Sequence, residues 1–404
     1  MLRKSNQQKT APIALRQQNT RLLLHFIQMQ RAISQAELAR QTGLSPAAVS
    51  GILQWLLAQE LLVENGKSHQ QGAGRRGALL TFNEQKAVVA GVVIDQTQCE
   101  VALLTLSAQV LAHTSQVNPA YGDPAKTLDL IVSLLHTLLQ QIPLPTSALV
   151  GVGVAMPGLI DADAGIVKVA ANLGWRNVHL GAMLQERLVL PVRLEHLGRA
   201  KAIAETLWGR GIGCANLVCV EIGSGIGAGI MMDGNLLKGG SGSAPEIGHS
   251  VLDLHGPECA CGLRGCWESY CAGPAIRKRI GRCLATMPQL KTSLTPQSTL
   301  AELEAAVRVG DVLAQVIMSE TANYMARGLL NVIWNFDPSL IILSGFVVQE
   351  CPTLIAFTQI ALQALQVVRT VDIPLVVTAQ GADAGVIAAS ALASVHYLEQ
   401  LVLT

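Results

Sequence analysis

Three stretches share one design. "ALVGVGVAMPGLID" (148–161), "NLVCVEIGSGIGAGIMMDGNLL" (216–237) and "PSLIILSGFV" (338–347) each run through Val, Ile and Leu and break at glycine. Apolar runs of this length that stop at a turn read as strands buried on both faces. "AVVAGVVIDQTQCEVALLTLSAQVLAHTSQV" (87–117) reads as β-hairpin strands, and "LDLIVSLLHTLLQQI" (128–142) as an apolar helix. Strands alternating with helices predict an α/β fold. Half of the 404 residues are apolar and only 3% aromatic, which suits an Ala/Val/Leu/Gly-rich α/β protein better than a β-sandwich. The run "GSGIGAG" (223–229) suits either a phosphate loop or a tight hairpin turn.

The first 82 residues differ. Residues 1–77 hold ten Lys/Arg against three Asp/Glu, a charge of +7, and the remainder carries −6. A basic head on a mildly acidic body suits nucleic acid. "QQNTRLLLHFIQMQ" sets Leu22, Leu23, Phe26 and Ile27 on one helical stripe. In "ISQAELARQTGLS" Ser34 is the N-cap, Glu37 completes a capping box, Leu38 and Ala39 face inward, and Gly43 fits just past the C-terminus. Ser45 then caps a third helix with Pro46 at its first position and Val49, Ile52, Leu53 and Leu56 buried. Two capped helices around a short turn predict helix-turn-helix. Ser45, Pro46, Ala47, Ala48, Ser50 and Gln54 would face the major groove of double-stranded DNA. "LLVENGKSHQQGAGRRGALLTFN" reads as a β-hairpin wing with Arg75 and Arg76 at its tip, suited to a minor groove.

"HGPECACGLRGCWESY" (255–270) packs three cysteines into eight residues. With His249 before them, Cys259, Cys261 and Cys266 complete a one-nitrogen, three-sulfur set for tetrahedral Zn2+. Such a set leaves no open position, so the metal would be structural. Buried free thiols and a disulfide are the competing readings. Glu246 lies three residues before His249 and Glu268 two after Cys266, so the same ion would gather two carboxylates able to accept hydroxyl hydrogen bonds. The segment before the first helix has no apolar signal core, and no apolar run reaches membrane-spanning length. The expectation is a cytoplasmic protein with no membrane insertion.

The run "GGSGSAPEIGHSVLDLHGPECACGLRGCWESY" (239–270), with "VGVAMPGLID", "NLGWRNVHL" and "DPSLIILSG", resembles the signature of the ROK family of repressors and sugar kinases. The head resembles the winged helix of the ROK repressors, which include N-acetylglucosamine- and glucose-responsive ones. The resemblance implies an actin/hexokinase-like (ribonuclease-H-like) two-lobe α/β body behind an N-terminal winged helix-turn-helix domain. Residues 1–82 would be the DNA-binding domain. Residues 83–195, completed by a C-terminal helix at about 386–404, would form one lobe, and 196–385 the other, with the zinc site and ligand cleft. It also implies the structural zinc and sugar contacts from Glu246, His249 and Glu268.

Departures from the family's kinases argue against phosphoryl transfer. Their catalytic base is the Asp of an Asn-Asp pair. In "RLEHLGRAKAIAETLWG" that pair falls on His196 and Leu197, and leucine has no lone pair to take a proton. The Asp-x-Gly-Gly-Thr phosphate loop is here "DQTQCE", with Asp95 but no glycine, and "LSGFV" replaces a Gly-Gly turn. Pro245 stands where the family has Gly. His196 and Asn172, in "ANLGW", are further sugar-contact candidates. The expected function is therefore non-catalytic: a transcriptional regulator, a repressor by resemblance, working as a homodimer or homotetramer whose operator affinity responds to a sugar or sugar derivative. A carbohydrate kinase with a fused DNA-binding head, and a protein-docking module with no small-molecule ligand, are the alternatives.

Overall fold

The structure is a computed structural model, and it describes residues 5–67, 78–118, 122–365 and 373–403. The chain divides into two compact units, Met1–His196 with Gly385–Thr404, and Leu197–Ala384.

The first unit opens with helix α1 (Ser5–Gln30), strand β1 (Ile33–Ser34), helices α2 (Gln35–Thr42) and α3 (Pro46–Ala58), and strands β2 (Leu62–Lys67) and β3 (Ala78–Phe82). The three strands form one antiparallel sheet in the order β1-β3-β2, the topology of a winged helix. Caps set the helix boundaries. The Ser34 hydroxyl accepts from the Glu37 N–H at 3.3 Å, and that of Ser45 from Ala48 at 3.2 Å. Gly43 closes α2 in the left-handed region. Val49, Ile52, Leu53 and Leu56 are buried on α3, as the periodicity predicts. On α1 the buried stripe is rotated from the expected one. Leu23 and Ile27 are buried together with Thr20, Leu24 and Gln28, whereas Leu22 and Phe26 are half-buried. Gln28 shifts the face, because its Nε2 donates to the buried Leu106 carbonyl at 3.1 Å.

The rest of this unit comprises β4 (Val88–Ile94), β5 (Gln98–Thr105), β6 (Val110–Val117), α4 (Pro124–Gln141), β7 (Leu149–Met156), β8 (Leu159–Asp161), β9 (Ile166–Ala170), β10 (Trp175–Val178), α5 (Leu180–Leu188) and β11 (Val192–His196). Five of its strands make a mixed sheet in the order β11-β7-β4-β5-β6. Strands β4, β5 and β6 are antiparallel neighbours, and β7 and β11 add in parallel. Every residue of β4 is buried. The C-terminal helix, Ala384–Leu403, lies directly on the backbones of β4 and β7. A Cβ on Gly91 would stand 2.1 Å from the Val386 carbonyl oxygen, and one on Gly153 1.8 Å from that of Ala389. Glycine in these strands is a condition of contact with the helix.

The second unit contains α6 (Leu197–Trp208), β12 (Leu217–Ile222), β13 (Ile226–Met232), β14 (Asn235–Leu236), α7 (Glu268–Cys271), α8 (Gly273–Thr286), α9 (Leu300–Arg308), α10 (Val312–Phe336), β15 (Leu340–Ser344), α11 (Phe346–Glu350), α12 (Thr353–Leu365) and β16 (Leu375–Val377). Its sheet has the order β14-β13-β12-β15-β16. Three antiparallel strands are followed by two parallel additions on the far edge of the first, as in the other unit. The body is therefore a duplicated ribonuclease-H-like arrangement, the actin/hexokinase-like α/β fold. The "GSG" segment is the tight turn of the β12–β13 hairpin, where Ile222 pairs with Ile226.

Among the described residues, one helix is long and apolar enough to cross a membrane, and it includes the C-terminal helix. Counting uninterrupted apolar runs misses it, because His396 and Glu399 break the run without lowering its mean hydropathy below that of a span. Its apolarity has a local cause: Val386, Ala388, Ala389, Ala391 and Ala393 are core residues of the first unit.

Candidate metal centre and ligand-binding residues

The segment after β14 reaches the site through a 3-10 turn, Ile247–His249. Ile247 and Gly248 are buried, and a Cβ on Gly248 would stand 2.1 Å from the Ile226 carbonyl oxygen. The turn thus lies flat on β13 and carries His249 at its end. The cysteine loop folds back beside it. Leu252 donates its N–H to Gly265 at 2.8 Å and Trp267 to Ser250 at 2.9 Å, while Cys259 donates to Leu263 at 2.8 Å. Gly265, with φ of 70°, passes so close to Asp253 that any Cβ would overlap its carbonyl oxygen. Trp267 is fully buried against Gly328 of α10, and Tyr270 stacks on Tyr324 with ring centroids 3.7 Å apart. The loop is thereby anchored to the long helix behind it.

This anchoring brings four side chains together. The ligand atoms of His249, Cys259, Cys261 and Cys266 all lie within 4.8 Å of one another. Cys259 Sγ is 3.6 Å from His249 Nδ1, and Cys261 Sγ is 3.6 Å from Cys266 Sγ. A tetrahedral ion bound by sulfur and imidazole places two sulfurs roughly 3.8 Å apart, and sulfur and nitrogen roughly 3.5 Å apart. These two edges match, and the cluster can coordinate a metal. Burial pushes the Cys259 thiol well up, and the Glu268 carboxylate adds to the effect. Burial also pushes Cys266 up. At Cys261 burial is outweighed by the Leu263 backbone N–H and the neighbouring thiols, and the thiol moves down. Three sulfurs and a carboxylate in one place lack positive charge, which a divalent cation supplies.

Glu268 opens α7 beside the cluster. Its Oε1 is 3.1 Å from Cys259 Sγ and 3.6 Å from His249 Nδ1, and its Oε2 accepts from the Ile226 N–H at 3.4 Å. Glu246 precedes the 3-10 turn and is open to solvent. Crowding on one side pushes its carboxyl up, against the pull of His249 and Arg199. Glu246, His249 and Glu268 thus belong to one unit and one neighbourhood. His196 ends β11 in the first unit, half-buried, and Leu197 opens α6. Asn172 sits half-buried in the 3-10 turn Ala171–Leu173, closed by Gly174 in the left-handed region.

In the head, Ser45, Pro46, Ala47 and Gln54 are exposed and Ala48 and Ser50 half-buried along α3, opposite its buried stripe. Arg75 and Arg76 lie outside the described residues. Two polar groups escaped sequence reasoning, Gln28 and a Lys201–Glu221 pair at 2.5 Å. Their signal was a polar residue inside an apolar or alanine-rich run.

The family model described as "ROK family" matches residues 89–396. The chain belongs to the ROK family. Among curated ROK relatives, the xylose repressor of Bacillus subtilis (strain 168) is 29% identical over 83% of this chain and 84% of its own. The DNA-binding transcriptional dual regulator NagC of Escherichia coli (strain K12) is 28% identical over 90% of this chain and 89% of its own. The crystal structure of a ROK family transcriptional regulator, a homologue of the E. coli MLC protein, matches with a TM-score of 0.79 and 25% identity, over 96% of this chain and 98% of that one. These three matches extend beyond the ROK body into the head.

Proposed function

We propose that this chain is a DNA-binding transcriptional repressor whose ROK body senses a sugar or sugar derivative, changes operator affinity and carries out no phosphoryl transfer. One observation carries the reading: a winged helix-turn-helix precedes a ROK body in which Leu197 stands at the head of α6, where a proton acceptor would be needed. Losing a positioned base costs roughly 10²–10⁴ in rate. Relatives matched over 83–96% of this chain are named as regulators.

In this reading His249, Cys259, Cys261 and Cys266 hold Zn2+, and Glu246, Glu268 and the free edge of His249 receive sugar hydroxyls. A bound zinc with four protein ligands supplies cross-linking and positive charge, and no activated water. His249 directs Nδ1 at the thiols, so Nε2 is available to a ligand. His196 and Asn172 remain candidate contacts in the first unit. Ser45, Pro46, Ala47, Ala48, Ser50 and Gln54 face the major groove, with Arg75 and Arg76 serving a minor groove. Residues 1–82 act as the DNA-reading domain of a homodimer or homotetramer.

The test is fluorescence anisotropy of the full chain on its operator across xylose, glucose and N-acetylglucosamine. At least one sugar is expected to weaken binding about tenfold or more. Operator affinity that ignores every sugar would sink the sensing claim, and sugar-dependent ATP turnover would sink the non-catalytic one.

A further inference from the structure

In the second unit, β12 and β15 are adjacent and parallel, and the chain leaves them in opposite directions along the sheet, toward β13 on one side and β16 on the other. Ligands of open α/β sheets bind outside the carboxyl ends of strands at such a point. Here those ends hold Glu221 and Ser344, which are register partners. The Ser344 hydroxyl donates to Glu221 Oε2 at 2.5 Å, and Lys201 of α6 donates to the same oxygen at 2.5 Å. The other oxygen, Oε1, faces the two following turns. A Cβ on Gly345 would stand 2.9 Å from it, and one on Gly223 3.6 Å. The Lys201 and Glu221 side chains are 7% and 17% exposed, so the pair is largely withdrawn from water.

A lysine, a hydroxyl and two glycine turns at this position are the fittings of a phosphate site. The carboxylate they surround is the protein's own. Lys201 stands among the buried Ala200, Ala202 and Ala204, where a cation is costly without a fixed partner. We propose that Glu221 is a built-in anion that occupies the phosphate position of this crevice, closing it to phosphorylated ligands such as nucleoside polyphosphates. Lys201 holds the plug, and Ser344 and the glycine turns shape the space it fills. The inference deepens the non-catalytic part of the proposed function. It adds a filled phosphate position to a missing base, and makes the sugar response independent of nucleotide.

The experiment titrates the full-length protein with inorganic pyrophosphate, by calorimetry and thermal denaturation. No DNA is present, so its failure is separate from any failure of operator binding or sugar sensing. The wild-type protein should show neither binding heat nor a shift in Tm. Glu221→Gln, which frees Lys201 while keeping an amide for Ser344, should bind pyrophosphate at least about tenfold more tightly. Adding Lys201→Met should abolish that gain. Wild-type protein that binds pyrophosphate and loses it on Lys201→Met overturns the proposal, and this comparison needs no Glu221 variant. A folded Glu221→Gln that binds no better than wild type also overturns it. Should Glu221→Gln fail to fold, Glu221→Ala is judged by the same criterion.

Discussion

If the His249–Cys259–Cys261–Cys266 cluster holds a metal, as proposed, removing one thiol would leave it three ligands and its neighbours without their common anchor. Cys266 is the fully buried member, on the strand-like segment that leads into Trp267 and Glu268. Cys266→Ser is expected to lower bound zinc from about one ion per chain to near none, measured by elemental analysis, and to lower Tm. A strong chelator should do the same to the unsubstituted protein. Full zinc occupancy in the variant would show that the cluster is not the metal site. A second residue-scale effect comes from His25, whose burial pushes its pKa below the usual imidazole value, and from His396, lowered by burial and by Arg193. Both favour the neutral form more strongly in the folded chain than in the unfolded one, which takes up protons near pH 6.5. Their contribution is therefore present above about pH 6.5 and is lost as pH falls below it. Tm should drop between about pH 7 and pH 5, and His25→Gln should flatten that drop.

Elements here meet through a few decisive contacts. The C-terminal helix rests on bare backbone at Gly91 and Gly153, where a side chain has no volume to enter. Gly153→Val should force the helix off β7 and cost about 3 kcal/mol or more, read as lost Tm and faster amide exchange in Ala384–Leu403. Gln28 makes a different connection, from α1 to the turn between β5 and β6. Gln28→Leu leaves the Leu106 carbonyl with one buried partner fewer, and should destabilise by about 1–3 kcal/mol. In the head, Ser45→Ala removes the α3 cap at about 1 kcal/mol. Its effect on DNA affinity should exceed that cost if α3 is the groove-reading helix.

At the scale of the whole molecule, the charge division between head and body is a statement about salt. A basic head that docks on phosphates loses affinity as salt rises, with a slope of about −0.9 per phosphate neutralised. Replacing Arg75 and Arg76 by Ala should flatten the slope of log affinity against log salt by about 2. An unchanged slope would remove the wing from the DNA contact. Ultracentrifugation with and without operator would give the number of chains bound.

Much of this protein is legible in one dimension. Helix boundaries in the head follow from Ser34, Gly43, Ser45 and Pro46, because caps are local chemistry between residues three apart. The buried strands follow from apolar runs, and the His/Cys cluster able to hold a metal follows from dense Cys spacing in a loop too short to spread its thiols. Other features needed the tertiary structure. Gly91 and Gly153 look like weak points in their strands until Val386 and Ala389 of the C-terminal helix, 295 and 236 residues further on, are found lying on them. The α1 stripe is turned by a bond from Gln28 to a carbonyl 78 residues on. Glu221, Ser344 and Lys201 read as scattered polar residues until strand order places them at one point. Local spacing records only forces between near neighbours, whereas which distant backbones touch and which charges share a crevice are decided by topology.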